Sequence, residues 1–168
     1  MSGHGTELAD LREHLKRYRD VTLQTLEFVP DDKLGWSPGD GLRTFAEQFL
    51  HIAQAENFYS RGFFNGDYDF GQLKAPGEPV SRDLLRQLLG DAHAFTDERL
   101  ASLDAAKLDE VMQVPNVPVA WTLRSWLWYL VEHEIHHKAQ LATYLRRIGI
   151  APPFFAFVFP RGVRPDIR

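Results

Sequence analysis

Two histidines in the last third of the chain have the spacing of metal ligands on a helix. His133 and His137 lie four residues apart, so on a helix they share one face and both imidazoles can reach one ion. At about 100° per residue, Trp126 and Tyr144 fall on that same face. The pair therefore points toward the apolar interior, where a histidine is either a metal ligand or a hydrogen-bonded core residue.

An open metal site needs a third ligand, since catalytic sites of this kind use three protein ligands and leave one position for water. His51 is the best candidate because it lies in the middle of another predicted helix, with the small residues Ala55 and Gly62 on its side. Small residues there are expected to leave space for an ion and a substrate. It lies at the edge of that helix's apolar stripe, which suits a ligand lining a cavity and equally a half-buried histidine. His93 is a weaker alternative ligand, and His136 is expected at the boundary of the site.

Three further polar side chains near these histidines are candidates for catalytic work. Glu47 lies one turn before the first histidine, Glu134 directly follows the second, and Gln140 lies three residues after the third. Either glutamate could act as general base on a metal-activated water. However, Glu47 also ends a capping-box sequence that begins at Thr44, and Glu134 projects about 80° away from the histidine pair. Gln140 could orient a ligand or bridge two helices.

Four amphipathic helices are predicted to position these residues, because apolar residues recur at steps of three and four. Their expected bounds are about 6–28, 44–64, 82–103 and 123–148. Thr44 and Thr122 are predicted to cap the helices that carry the histidines, and Gly149 is predicted to end the last one. The proline-containing segment 112–120 is predicted to be a crossover loop, since proline cannot donate to a sheet ladder.

The predicted architecture is all-α, with residues 1–168 forming a single antiparallel four-helix bundle with long crossover loops and an extended C-terminal tail, residues 150–168. The apolar run 154–159 in the tail is expected to cover the domain's own surface or to bind a partner. A second apolar stripe on the last helix, opposite the histidines, favours a homodimer or a contact with this tail. The stripe consists of Trp128, Val131, Ile135 and Ala142.

The composition excludes several classes of function. With 19 basic and 23 acidic residues and a net charge of -4, the chain has no positive field that would attract nucleic acid. It contains no cysteine, which excludes disulfides, thiolate ligands and a cysteine nucleophile. The first ten residues do not resemble a secretory signal, and no run approaches the roughly 20 apolar residues of a membrane span. We therefore expect a cytoplasmic protein that binds a small-molecule substrate, without nucleic-acid or membrane partners.

The segment 133–140, of sequence His-Glu-Ile-His-His-Lys-Ala-Gln, resembles the double-histidine and glutamine ending of the DinB/YfiT-like superfamily. Residues 33–38 resemble that family's loop after helix one, and residues 144–149, followed by two prolines, resemble its exit from helix four. The similarity covers nearly the whole chain up to Gly149, but not the aromatic tail. It implies a four-helix bundle in which one divalent metal ion is bound by His51, His133 and His137.

The resemblance also implies an activity, since the family includes thiol-dependent transferases and isomerases that use mycothiol or bacillithiol. It implies a transferase or isomerase that activates a low-molecular-weight thiol cosubstrate at the three-histidine site. Zinc is the leading expectation for the ion, and nickel or iron also suits histidine nitrogens. Two alternatives stay open: a hydrolase that uses a metal-activated water, and a non-enzymatic metal-binding stress or interaction module.

Overall fold

The structure is a computed structural model that describes residues 3–73 and 80–153. Four long helices dominate it: α1 Gly3–Phe28, α2 Phe45–Asn65, α3 Arg82–Ala101 and α4 Leu123–Arg147. Short 3-10 turns lie in the connections at Asp31–Lys33, Phe70–Leu73 and Ala105–Asp109. The predicted all-α bundle of four helices is confirmed, with helix bounds close to those expected from the apolar periodicity. No helix among the described residues is long and apolar enough to cross a membrane.

The prediction that residues 112–120 form a loop throughout is wrong at both ends, because Met112, Gln113 and Ala120 lie in two short strands. Strand β1 (Val111–Gln113) pairs antiparallel with β2 (Ala120–Thr122), and Met112 lies opposite Trp121. The two prolines of the segment lie in the connection between the strands, where no ladder hydrogen bond requires an N–H. With three residues each, the strands are too short to show the alternation by which a sequence signals a strand.

Side-chain caps fix where the two histidine-bearing helices begin. Thr44 and Glu47 form the predicted capping box: the Glu47 N–H donates to Thr44 Oγ1 at 3.2 Å, and the Thr44 N–H donates to Glu47 Oε2 at 2.7 Å. Thr122 caps α4 by accepting from the Ser125 N–H at 3.2 Å. Gly66, with φ 71°, ends α2 in the left-handed conformation that glycine adopts without strain.

The core consists of two apolar clusters at opposite ends of the bundle. The first contains the C-terminal end of α1, the start of α2 and α3 and the end of α4, with Leu26, Phe45, Phe49, Leu89 and Leu145 among its members. The second contains the four opposite ends, with Leu11, Leu15, Phe58, Leu100 and Trp126. Helices α1 and α4 therefore run in one direction and α2 and α3 in the other.

Buried polar residues lie between the two apolar clusters on every helix. They form a layer across the middle of the bundle, which we call the polar layer: Arg19, Thr22, Glu56, His93, Glu134 and His137. Charged side chains are rarely buried unless they are paired. Packing of the core alone therefore does not explain why polar residues occupy this layer.

The second apolar stripe of α4 packs largely within the chain. Val131 and Ala142 are buried, and the Trp128 ring lies edge-on to His14 of α1, with 5.5 Å between ring centroids. The homodimer that this stripe suggested stays a prediction. The aromatic run 154–159 and the loop residues 74–79 lie outside the described residues.

Candidate metal centre

The structure brings together the three histidines that the sequence singled out. His51 on α2 and His133 on α4 face each other with 3.2 Å between their Nε2 atoms. His137, one turn further along α4, completes the group, and one ring nitrogen from each of the three lies within 4.8 Å of the others. Their ring centroids are 4.4 to 5.0 Å apart. This convergence is what a shared ion requires.

All three imidazoles are neutral at physiological pH. Burial lowers the pKa of His51 to about 4, and the positive charge of Arg43 acts in the same direction. Burial and the neighbouring imidazoles lower the pKa of His133 to about 3 and that of His137 to about 4. Since a histidine must be deprotonated to bind a metal, the cluster is in the ligating form without any proton having to leave.

Two glutamine side chains orient His137. Its Nδ1 lies 2.8 Å from Gln48 Oε1 and 2.8 Å from Gln140 Oε1, and because amide oxygens only accept, Nδ1 carries the proton and Nε2 keeps a lone pair. The Gln48 amide donates to the Tyr144 hydroxyl at 3.2 Å, which fixes the direction of its oxygen. The Gln140 amide nitrogen lies 3.0 Å from Nε2 of the exposed His136. Such outer hydrogen bonds are typical of metal-ligating histidines.

The donor set fits a divalent transition-metal ion. Two nitrogens bound to one tetrahedral zinc at 2.0–2.1 Å are about 3.3 Å apart, and the Nε2 atoms of His51 and His133 are separated by 3.2 Å. Three neutral nitrogen donors suit zinc, nickel, copper or iron better than magnesium or calcium, which prefer oxygen. The residues present therefore fit the ion that the resemblance implies.

The three catalytic candidates from the sequence have different positions. Glu47 is exposed and its carboxylate serves the capping box. Glu134 is only 4% exposed and accepts a hydrogen bond from Thr22 Oγ1 of α1 at 2.7 Å; burial raises its pKa to about 7, although the charge of His93 opposes this. Only Gln140 touches a histidine of the cluster. Gln48 was missed, and the available signal was its polar side chain within the apolar stripe of α2.

His93, the alternative ligand, belongs to the polar layer and not to the three-histidine cluster. Its Nδ1 contacts Glu56 Oε2, and Arg19 pairs with Oε1 of the same carboxylate. Burial acts to raise the pKa of Glu56, but the charges of His93 and Arg19 lower it to about 2. Glu56 is therefore an ionised carboxylate in the middle of the bundle, where it pairs with Arg19 and contacts the His93 ring.

Aromatic side chains lie beside the cluster. The Tyr129 ring is 6.0 Å from that of His133, and Tyr59 lies 5.4 Å from Tyr129. Trp121, which is 41% exposed, packs on Trp126 with 4.7 Å between the ring centroids. Burial, together with Tyr129, raises the pKa of Tyr59 well above its usual value. Tyr59 is therefore neutral, and the two rings give this side of the centre an apolar surface that also carries hydroxyl groups.

The small size of Gly62 was expected to leave space for a substrate, but the ring of Tyr68 occupies that space. A Cβ atom at this position would lie 2.0 Å from Cε1 of Tyr68, so the aromatic ring of the following loop occupies the space beside the helix. The glycine allows this loop to pack closely on α2.

A four-helix bundle with three histidines converging from its second and fourth helices defines a class of helical proteins with a candidate metal centre. The family model of the DinB superfamily matches residues 14–141, and the chain belongs to this superfamily. The protein YjoA of Bacillus subtilis (strain 168) is 24% identical over 140 residues, which cover 81% of this chain and 87% of YjoA.

Solved structures of similar proteins share the fold. The DinB-like protein YjoA of B. subtilis superposes with a TM-score of 0.70 at 24% identity, over 87% of this chain and 97% of that one. A DinB-like protein from Bacillus cereus ATCC 10987 gives 0.72 at 17% identity, over 89% and 95%. YfiT of B. subtilis, described as a probable metal-dependent hydrolase with an unusual four-helix bundle topology, gives 0.69 at 20% identity, over 90% and 91%.

Proposed function

We propose that this protein is a metal-dependent enzyme in which His51, His133 and His137 hold one divalent ion. We further propose that it transfers a low-molecular-weight thiol to a small-molecule substrate, or uses the thiol in an isomerisation. The observation that carries the proposal is the convergence of three neutral imidazoles, with one nitrogen from each within 4.8 Å of the others.

Three neutral ligands leave the charge of the ion uncompensated and at least one coordination position open. A bound divalent ion supplies Lewis acidity, which lowers the pKa of a coordinated thiol or water. The chain's own residues hold the imidazoles in place: Gln48 and Gln140 orient His137 from one side. His51 and His133 are only half-buried, so a small molecule can approach the centre from solvent.

The positions of the carboxylates favour a thiol as the nucleophile. Among the described residues, Glu47 is used in the helix cap and Glu134 is buried against Thr22, so neither contacts the cluster as a general base. A free thiol has a pKa of about 8.5, whereas that of bulk water is about 15.7, and a thiol therefore ionises more readily without a base. The chain has no cysteine, so the thiol would come from a cosubstrate.

A hydrolase is the second candidate, favoured by one specific observation. YfiT, which has the same fold, is described as a probable metal-dependent hydrolase. In that case water would take the place of the thiol at the centre. In both the thiol-dependent reaction and the hydrolysis, Tyr59 and Tyr129 would contact the substrate, because they lie beside His133.

The two candidates are distinguished by supplying or withholding the thiol. The purified chain, loaded with zinc or nickel, is incubated with bacillithiol, mycothiol or glutathione and a panel of electrophiles, and free thiol is measured. We expect thiol loss that requires metal and disappears in His51→Ala and His137→Ala, but persists in a His14→Ala control. Hydrolysis of esters or amides without thiol would instead support the hydrolase, and metal-loaded protein inactive in both assays would contradict an enzymatic role.

A further inference from the structure

A small cavity lies behind the candidate metal centre, inside the polar layer. Its volume is about 10 Å³, which is room for one water molecule. It is lined by Leu15, Ile52, Glu56, Leu130, His133 and Glu134. The cavity thus connects one histidine of the metal centre with both buried glutamates of the polar layer.

His133 has one ring nitrogen to offer this cavity. Its Nε2 is directed to His51 Nε2, which leaves Nδ1 for a partner elsewhere. In His137 the corresponding atom has two glutamine oxygens as acceptors. A ligating histidine generally donates this second N–H to a carboxylate, a carbonyl or a water, and for His133 the cavity provides the two carboxylates.

The carboxylates around the cavity can hold a water molecule firmly. Glu134 accepts from Thr22 through Oε1, so Oε2 can accept from a second donor, and Glu56 is fixed by Arg19 and His93. Together with His133 they offer a water three polar partners, which is the usual number for a buried water. Within the described chain, His93 Nε2 and Arg19 Nε are buried without hydrogen-bond partners, a second indication that this layer needs solvent for its hydrogen bonds.

We propose that one water in this cavity links His133 to Glu134, and that Glu134 is a positioning residue for the metal centre. The Nδ1–H of His133 donates to the water, and the water donates to Glu134, whose orientation is set by Thr22. This arrangement holds His133 in the tautomer that leaves the Nε2 lone pair facing His51. The inference rests on the proposed metal-binding function and assigns Glu134 a role outside the coordination sphere, not that of a general base.

Glu134→Gln tests the proposal with little change in shape, since an amide nitrogen in place of the oxygen donates where the carboxylate accepts. Zinc affinity is measured by competition with a chromophoric chelator. We expect about 10- to 100-fold weaker binding for Glu134→Gln and a smaller loss for Thr22→Val, which keeps the carboxylate but removes its hydrogen-bond donor. Glu132→Gln, an exposed neighbour on α4, should bind zinc as the unmodified chain does. Zinc binding by Glu134→Gln within twofold of the unmodified chain would overturn the proposal.

A second measurement on the metal-free protein does not depend on metal binding. Nitrogen-15 NMR of the imidazoles should show His133 protonated at Nδ1 in the unmodified chain, and a mixture of tautomers in Glu134→Gln and in Thr22→Val. If the unmodified chain binds no metal, the proposed function fails while this readout still decides the role of Glu134. An Nε2-protonated His133 in the unmodified chain would refute that role, as would an unchanged tautomer in both folded variants.

Discussion

His51 Nε2 and His133 Nε2 lie 3.2 Å apart, although 82 positions separate them in the chain. One comes from a helix that begins at the first apolar cluster and the other from a helix that begins at the second. Two imidazole lone pairs at this distance repel each other unless a proton or a cation lies between them. The fold therefore keeps together two groups that are stabilised by a bound cation.

We expect the chain to bind one divalent ion and to be stabilised by it. At a free metal concentration of about 100 times Kd the gain is about 2.7 kcal/mol, which for a chain of this length raises Tm by about 5 to 10 °C. Elemental analysis and thermal unfolding with and without zinc or nickel measure both quantities. His51→Ala and His137→Ala should lose the bound metal and the shift, whereas His14→Ala should keep both. An unmodified chain whose Tm is insensitive to every one of these metals would contradict the prediction.

The sequence predicts the helices and the histidine face because both depend on local periodicity. Trp126 and Tyr144, expected on the same face as His133 and His137, are both buried. The capping box at Thr44 is also a local pattern, and it is present. His51 could be selected only as a mid-helix histidine at the edge of an apolar stripe, and its half-buried position agrees with that expectation.

The polar layer could not be predicted from the sequence, because it depends on contacts between distant segments. Arg19 and Glu56 lie 37 positions apart and Thr22 and Glu134 lie 112 apart, and no local pattern indicates which of these residues pair with each other. The polar side chain of Gln48 within the apolar stripe of α2 is a local signal, but its hydrogen bond to His137 joins two helices and has no such signal. Local patterns define the elements, whereas the pairing of buried polar groups appears only when the helices pack.

Replacing Gln48 should weaken metal binding without removing a ligand. In Gln48→Leu the Nδ1–H of His137 keeps only Gln140 as acceptor, so we expect a moderate loss of affinity, up to about 10-fold. Gln48→Leu combined with Gln140→Leu removes both acceptors and should cost about 10- to 100-fold. Tyr144→Phe, which frees only the Gln48 amide, should have the smallest effect. Zinc competition titration gives the three affinities, and an unchanged Kd in the double variant would contradict this orienting role.

Arg19 should contribute strongly to stability because it neutralises a buried carboxylate. Both members of the Arg19–Glu56 pair are almost fully buried, and Arg19→Met leaves the Glu56 carboxylate without its arginine partner. Removing one partner of a buried ion pair costs about 3 to 5 kcal/mol, whereas replacing both with apolar groups is often nearly neutral. Urea unfolding should therefore show a large loss for Arg19→Met and partial recovery for Arg19→Met with Glu56→Leu.

A surface ion pair of the same helix provides the control for Arg19. Lys16 pairs with Asp20 at 2.9 Å, and both side chains are largely exposed. Exposed pairs at this spacing contribute about 0.3 to 0.5 kcal/mol, so Lys16→Met should change the free energy of unfolding little. If Arg19→Met cost no more than Lys16→Met, the buried pair would not have the role assigned to it.

The effect of Gly62→Ala on the free energy of unfolding should depend on Tyr68, whose ring lies against this glycine. Alanine is favoured over glycine in a helix interior by about 1 kcal/mol, but here its Cβ would lie 2.0 Å from the Tyr68 ring. We expect Gly62→Ala to destabilise the unmodified chain and to stabilise a Tyr68→Ala background. Gly90→Ala on α3, where a Cβ meets nothing within 4 Å, should be stabilising in both backgrounds. Chemical denaturation of the four combinations measures the coupling, and additive effects would show that the ring moves aside freely.

The stability of the metal-free protein should depend on pH in two opposite ways. His133 has a folded pKa of about 3 against 6.5 for an unperturbed histidine, so between these values the unfolded chain binds the extra proton. Its contribution therefore lowers the free energy of unfolding as the pH falls from about 6.5 toward 3. Glu134 has a folded pKa of about 7 against 4.5, so the folded chain binds the extra proton there and the free energy of unfolding rises as the pH falls through that window.

Two single variants separate these contributions. Because the slope of unfolding free energy against pH measures the difference in bound protons, His133→Asn should reduce that slope between pH 4.5 and 6.5, and Glu134→Gln should increase it, each by up to about one proton. Urea unfolding of metal-free protein at half-unit pH intervals gives the slopes, with His14→Ala as the control. Burial keeps His133 unprotonated and Glu134 protonated, so the two substitutions should change the slope in opposite directions. A change in the same direction in both variants would contradict this assignment.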